Sequence, residues 1–174
     1  MSEDIQNIQY HAARLLILIG LCGTPVGSPK IKGRTLLAKL DFFLRYPIYL
    51  DRALRIKTGS GLDDMMEHEL DNVETRMIRY RYGPWDNVYY SVLAYLVAKD
   101  LITIEIHKSV EYFGLTEQGK ETIEDLIKTE PFMVVAVRAR ILKKVFGLWS
   151  GTRLKAFIYE SFPEVVSLSL GQEI

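Results

Sequence analysis

The sequence predicts an α+β fold that is mostly helical, with added helices at its C-terminal end, and three observations lead there. Apolar residues recur at helical spacing through most of the chain, β-type runs are confined to its middle, and Gly and Pro cut the pattern into pieces of ordinary helix and strand length. The 174 residues are 48% hydrophobic and 25% charged, enough to bury a real core. They divide naturally into a domain over 1–130 and a helical extension over 131–174 packed on it. With 22 basic and 22 acidic residues the net charge is zero, so no global field attracts nucleic acid and any DNA contact must be local.

The first helix is expected to start with Ser2 as its N-cap, with Glu3 and Asp4 favouring the positive end of its dipole. Ile5, Ile8, Ala12, Leu15, Leu16 and Ile19 form its apolar stripe, and Gly23-Thr24-Pro25 ends it. The run from Ala12 to Cys22, interrupted by Arg14, is shorter than the ~20 residues that span a bilayer and lacks a basic leader. It reads as core of a cytoplasmic protein without a targeting segment. Cys22, the single cysteine, has no intrachain disulfide partner and cannot build a multi-cysteine metal site, so it is expected as a small buried hydrophobe.

Residues Gly23 to Lys32 read as a loop. Arg34 to Tyr46 returns to helical spacing through Leu36, Leu37, Leu40, Phe43 and Leu44; Pro47 stops that helix and opens a short third one over Ile48 to Leu54. Lys57 to Leu62, followed by an acidic stretch to residue 72, suggests a mobile surface loop. Glu74 to Tyr82 alternates as a half-exposed strand, with Ile78, Tyr80 and Tyr82 opposite Met77, Arg79 and Arg81, until Gly83-Pro84 breaks it. Trp85 to Lys99 is helical, capped by Asp86 or Asn87, with Tyr89, Val92, Leu93 and Leu96 turned inward. Leu101 to His107 and Val110 to Phe113, joined by Lys108-Ser109, form a hairpin whose isoleucines alternate with Thr103, Glu105 and His107. Thr116 caps a helix with Ile123, Leu126 and Ile127 as its inner face, and Pro131 punctuates it. Phe132 to Phe146 and Gly151 to Phe162 are the C-terminal helices, Ser150 capping the second and Pro163 ending it.

Strand, Tyr82-Gly-Pro-Trp-Asp86, helix, hairpin and helix succeed one another in an order that resembles the second half of a winged-helix domain. The matching signals are Asp100-Leu101-Ile102 at the strand start and Leu115-Thr116-Glu117-Gln118-Gly119 at the helix start. On that resemblance the hairpin is the wing. The fold serves DNA readout and protein docking alike, so it does not choose a role. A narrower resemblance covers most of the chain. Ala12 to Leu16 (AARLL), Gly33 to Pro47, Arg79 to Asp86 (RYRYGPWD) and Phe157 to Pro163 (FIYESFP) are similar to the small middle component of bacterial ABC-three-component systems, which include Lamassu-type anti-phage and anti-plasmid defence. This resemblance implies a non-catalytic accessory subunit that bridges an SMC-like ATPase and an effector, often a nuclease, with DNA near the complex. It implies no cofactor, small-molecule substrate or membrane, and it transfers no site residue.

The residues themselves offer no reactive constellation. His11, His68 and His107 are scattered, without the spacing that sets two imidazoles on one helical face. Glu67-His68-Glu69 reads as a solvated acidic loop, and Asp100 with Glu105-Ile106-His107 lacks the lysine that would complete a nuclease-like triad. No Walker A run, GxGxxG or GxSxG occurs. Candidate contacts to nucleic acid or an acidic partner are Arg79 and Arg81, with Arg34, Lys39 and Arg45 on helix two, and a denser set of Arg138, Arg140, Lys143 and Lys144 with Arg153 and Lys155. A solvated charged face explains the same residues. Tyr80, Tyr82, Trp85, Tyr89, Tyr90 and Tyr95 crowd one window, from which Trp85 and Tyr90 are expected to face a partner, unless the group builds core beneath helix two. The competing function is a stand-alone winged-helix transcriptional regulator or antitoxin; against it, helix 85–99 carries a single basic residue, Lys99.

Overall fold

The computed structural model describes residues 2–24, 29–62, 77–130 and 132–174, with side chains from residue 8 onward. Helix α1 (Ser2–Cys22) runs through the centre. Leu15, Leu16, Ile17, Leu18 and Ile19 are all buried in succession, the signature of a helix enclosed on every side. Helix α6 (Phe132–Phe146) lies along one flank of α1, while α4 (Tyr89–Ala98), α5 (Glu117–Leu126) and the sheet close the other. The C-terminal helices therefore share the core with the rest of the chain; Cys22, buried as expected, donates its thiol to the Ala139 carbonyl at 3.3 Å.

Strands β1 (Lys30–Lys32), β4 (Ile102–His107) and β5 (Val110–Leu115) form an antiparallel sheet in the order β1-β5-β4, with Ile31, Phe113 and Ile104 in one row. Lys108 and Ser109 link β4 to β5 with φ of 48° and 63°, the conformation that matches the twist of a tight hairpin. A second hairpin, β2 (Ile78–Tyr80) and β3 (Gly83–Trp85), packs on α2 (Arg34–Arg45). The remaining helices are α3 (Pro47–Thr58), α7 (Gly151–Ser161), which packs on α2, and α8 (Pro163–Ser167).

Local chemistry accounts for the boundaries. Thr116 Oγ1 accepts from the Gly119 amide at 2.9 Å and Ser150 Oγ accepts from the Arg153 amide at 3.1 Å, so both expected N-caps form. Gly119 lies against the Leu101 carbonyl so closely that a Cβ there would sit 2.0 Å from its oxygen, which gives the Leu-Thr-x-x-Gly signal its physical meaning. Deep between α1, α2 and α4 sits a charge network. Asp41 accepts from Arg14 Nε at 2.7 Å, Arg45 Nε at 2.9 Å and the Tyr89 hydroxyl at 2.7 Å, and the three charged side chains are 0% exposed. Arg45 reaches on to Asp86 at 2.6 Å, tying the entry of α4 to α2.

Several expectations need correction. The loop expected over Gly23 to Lys32 contains β1, which is a strand because β5 pairs with it. Helix α3 extends to Thr58 and closes on Gly59 at φ 80°, so Lys57 and Thr58 are helical, and the Leu62 amide is held by the Asp51 carboxylate at 2.7 Å. Residues 63–72 of the expected mobile loop and 74–76 of the expected strand lie outside the described residues. Gly83-Pro84 does not end the strand region; it turns into β3, and α4 consequently starts at Tyr89 instead of Trp85. Pro163 opens α8, and the chain end returns to β2, where the Arg79 amide donates to Gln172 at 2.8 Å and the Ile174 amide to Met77 at 2.9 Å.

Candidate functional site

The basic residues come together in part: Lys155 of α7 donates to the Arg81 carbonyl at 3.2 Å, and the Arg81 and Lys155 cations lie 5.6 and 5.8 Å from the centre of the Tyr82 ring. Arg138 is buried and donates to the Leu44 carbonyl at the end of α2 at 2.8 Å, which removes it from any solvent-facing patch. Lys143 donates to the Cys22 and Gly23 carbonyls and so serves the C-terminus of α1, where a cation complements the helix dipole. Arg79 is half-buried and donates to the Leu168 carbonyl. Of the expected contact residues Arg81, Arg140, Lys144 and Arg153 remain exposed and Lys155 is half-buried; Arg81 lies in the turn of the β2–β3 hairpin, Arg140 and Lys144 on α6, and Arg153 and Lys155 on α7. On helix two, Lys39 and Arg45 are buried, while Arg34 is held by Glu111 of β5. A phosphate-binding face on α2 is thereby ruled out for Lys39 and Arg45.

The aromatic window splits in two. Trp85, 9% exposed, and Tyr89 belong to the core, correcting the expectation that Trp85 faces a partner. Tyr80, Tyr82 and Tyr90 are exposed, and the Tyr90 ring lies beneath the Arg34 guanidinium, 5.1 Å from its centroid. Together with Thr35, Trp85 and Asn87 these residues line a depression of about 250 Å³. It continues into a groove of about 440 Å³ along α4, walled by Tyr90, Leu93, Ala94, Val97, Ala98 and Ile104. A third hollow, between the start of α2 and the hairpin, adds Ile106 and Val110.

These hollows share Arg34 and merge into one apolar, aromatic face. Its geometry follows from α4, whose sequence YYSVLAYLVA has no charge on any side. Tyr89, Val92, Leu93 and Leu96 go inward, and the same helix turns Tyr90, Ala94, Val97 and Ala98 out. The isoleucines of β4 continue the face, since Ile102 is buried while Ile104 and Ile106 are 38% and 68% exposed. Sequence reasoning found Tyr90 and missed Val97, Ile104 and Ile106. The available signal was a helix too uniformly apolar to have one buried side.

The titratable groups with the largest perturbations are inward. Burial pushes the Asp41 carboxyl up, but Arg14 and Arg45 outweigh it and hold the group at about 2. Burial, then Arg14 and Arg45, press His11 down to about 4, so the ring is neutral and its Nδ1 accepts from Arg14 at 2.8 Å. Burial and neighbouring Lys155 lower Lys39 to about 8. Burial raises Cys22 to about 12, leaving an inert thiol. Among the described residues no group of three or more His, Cys, Asp or Glu side chains is placed to hold a metal ion, and no helix is long and apolar enough to cross a membrane. No family model, curated protein or solved structure matches the chain.

Proposed function

We propose that this chain is a non-catalytic accessory subunit that docks protein partners through the outer face of α4, on a winged-helix frame. The observation that carries the reading is the chemistry of that face. Helix α4 stands immediately before the β4–β5 flap, the place of the recognition helix in a winged-helix DNA reader, and from Tyr89 to Ala98 it carries no charged side chain. A helix that reads base edges needs Arg, Lys, Asn or Gln pointing into the groove. This one exposes Tyr90 at 57% and Val97 at 45%. Contiguous apolar surface rimmed by polar groups is the signature of protein docking.

Support for the frame comes from the sheet order β1-β5-β4, with α1 ahead of β1 and helices between β1 and β4, together with the Asp-Leu-Ile and Leu-Thr-x-x-Gly signals at the ends of the flap. The partners, an SMC-like ATPase and an effector subunit in a cytoplasmic anti-phage or anti-plasmid complex, rest on the sequence resemblance. Co-expression with the proteins encoded beside it tests the reading. The ATPase is expected to be retained on the tagged chain through washing at high salt, as an apolar interface allows. A chain that elutes without the ATPase, or that alone shifts duplex DNA in a sequence-specific, salt-dependent manner, overturns it in favour of the DNA-binding regulator.

A further inference from the structure

We infer that β4 is a self-association edge: two copies of the chain pair their β4 strands antiparallel about a two-fold axis at Ile104, making one continuous sheet. This goes beyond the docking reading, which rests on the outer face of α4 and takes the side chains of Ile104 and Ile106 only as its continuation.

The phase of the β4–β5 ladder comes first. Hydrogen-bonded and non-bonded pairs alternate along an antiparallel ladder, and the pair flanking a two-residue turn is bonded. His107 with Val110 is that pair, so Glu105 with Tyr112 and Thr103 with Gly114 are bonded too. The Thr116 amide donating to the Leu101 carbonyl at 3.2 Å continues the same phase. Ile102, Ile104 and Ile106 therefore aim their N–H and C=O groups away from β5. Among the described residues no strand covers that side and no backbone bond is made to those groups. By contrast, the outer edge of β2 is closed by the chain end.

Proteins blunt such an edge with proline, lysine, a bulge or an inward charge. Strand β4 has no Pro or Lys and no break in its register, and its one acid, Glu105, is paired with Lys30 of β1. What it presents instead is a row of isoleucines, two of them exposed.

The strand is complementary to itself when Ile104 is its central residue. Placing Ile104 opposite Ile104 of the second copy sets Ile106 opposite the second copy's Ile102, and each of these pairs exchanges both backbone bonds. Glu105 then faces Thr103, so like charges do not meet, and Lys108 at the wing tip comes toward Asp100 of the second copy at both ends. Asp100 and Lys108 are exposed and make no ion pair among the described residues. Sliding one copy so that Glu105 becomes the central residue sets Glu105 against its own copy, which like-charge repulsion disfavours. A two-fold contact of a patch with itself is the commonest oligomeric arrangement.

Sedimentation of the full chain tests this. The wild type is expected to dimerise with concentration. Ile104→Pro removes an outward amide that bonds nothing among the described residues, and is expected to give a folded monomer. Lys108→Asp and Asp100→Lys are each expected to weaken the dimer about tenfold or more, and the double swap to restore it. A wild type that stays monomeric up to its solubility limit overturns the inference. So does a dimer indifferent to these changes, or single swaps that the double swap fails to rescue. Lys108→Asp is expected to retain the ATPase, so this inference and the docking reading fail separately.

Discussion

At the scale of single residues, the charges this protein buries matter more than those it displays. Asp41 sits between two guanidiniums and a tyrosine hydroxyl in a fully enclosed site. Asp41→Asn leaves Arg14 and Arg45 facing each other without their shared anion, and is expected to cost about 3–5 kcal/mol in chemical denaturation. Acid acts on the same cluster in two stages. His11 has a folded pKa of about 4 against 6.5, so the unfolded chain takes up a proton first and stability falls as pH drops from 6.5 to 4. Asp41 is depressed from 3.8 to about 2, so its contribution is complete above its ordinary range and disappears as pH falls toward 2. Replacing His11 by Gln, which keeps an acceptor for Arg14, is expected to flatten the first stage alone. Lys39 behaves oppositely to a stabilising cation. It is 2% exposed, its Nζ donates to the Thr35 carbonyl at 3.1 Å, and no carboxylate among the described residues neutralises it. With a folded pKa of about 8 against 10.5, the unfolded chain binds the proton more tightly, so stability rises with pH through that window. Lys39→Met is expected to raise stability at pH 7 by about 1–3 kcal/mol and to abolish the alkaline rise.

At the scale of elements, what could be read from the sequence is what is local. Pro47 at the start of α3, Thr116 and Ser150 as caps, and the Lys108-Ser109 turn are each decided within a few residues, and all were legible. Strand β1 was not, because Lys30-Ile31-Lys32 alternates over three residues only, too few to stand out from a loop, and pairs with β5 far away in sequence. Gly83-Pro84 read as a break because proline cannot donate to a ladder; it is accommodated in a three-residue strand that pairs on one side only, with β2, and is buried against α2. The junction between β4 and α5 offers a direct test. Gly119→Ala forces a Cβ against the Leu101 carbonyl and is expected to destabilise the protein by about 1–3 kcal/mol. Thr116→Ala, which loses only the cap, is expected to cost about 1 kcal/mol by the same thermal melt.

At the scale of the whole molecule, the candidate site was legible in composition and illegible in direction. Helical periodicity states which residues share a side, but the carbonyl that receives Arg138 belongs to Leu44, 94 positions away, and only the packing of α6 on α2 reveals it. Arg138, Lys143, Lys39 and Arg45 are thus taken into structural duties while Arg81, Arg140, Lys144 and Arg153 stay exposed, and the outer face of α4 with the isoleucines of β4 is the continuous apolar surface. The most direct test compares two surface variants in co-purification with the neighbouring ATPase, after circular dichroism has shown both to be folded. Val97→Glu, at the centre of the apolar face, is expected to lose the ATPase, whereas Arg140→Glu on α6 is expected to retain it. The reverse result, retention by Val97→Glu and loss by Arg140→Glu, would contradict the account.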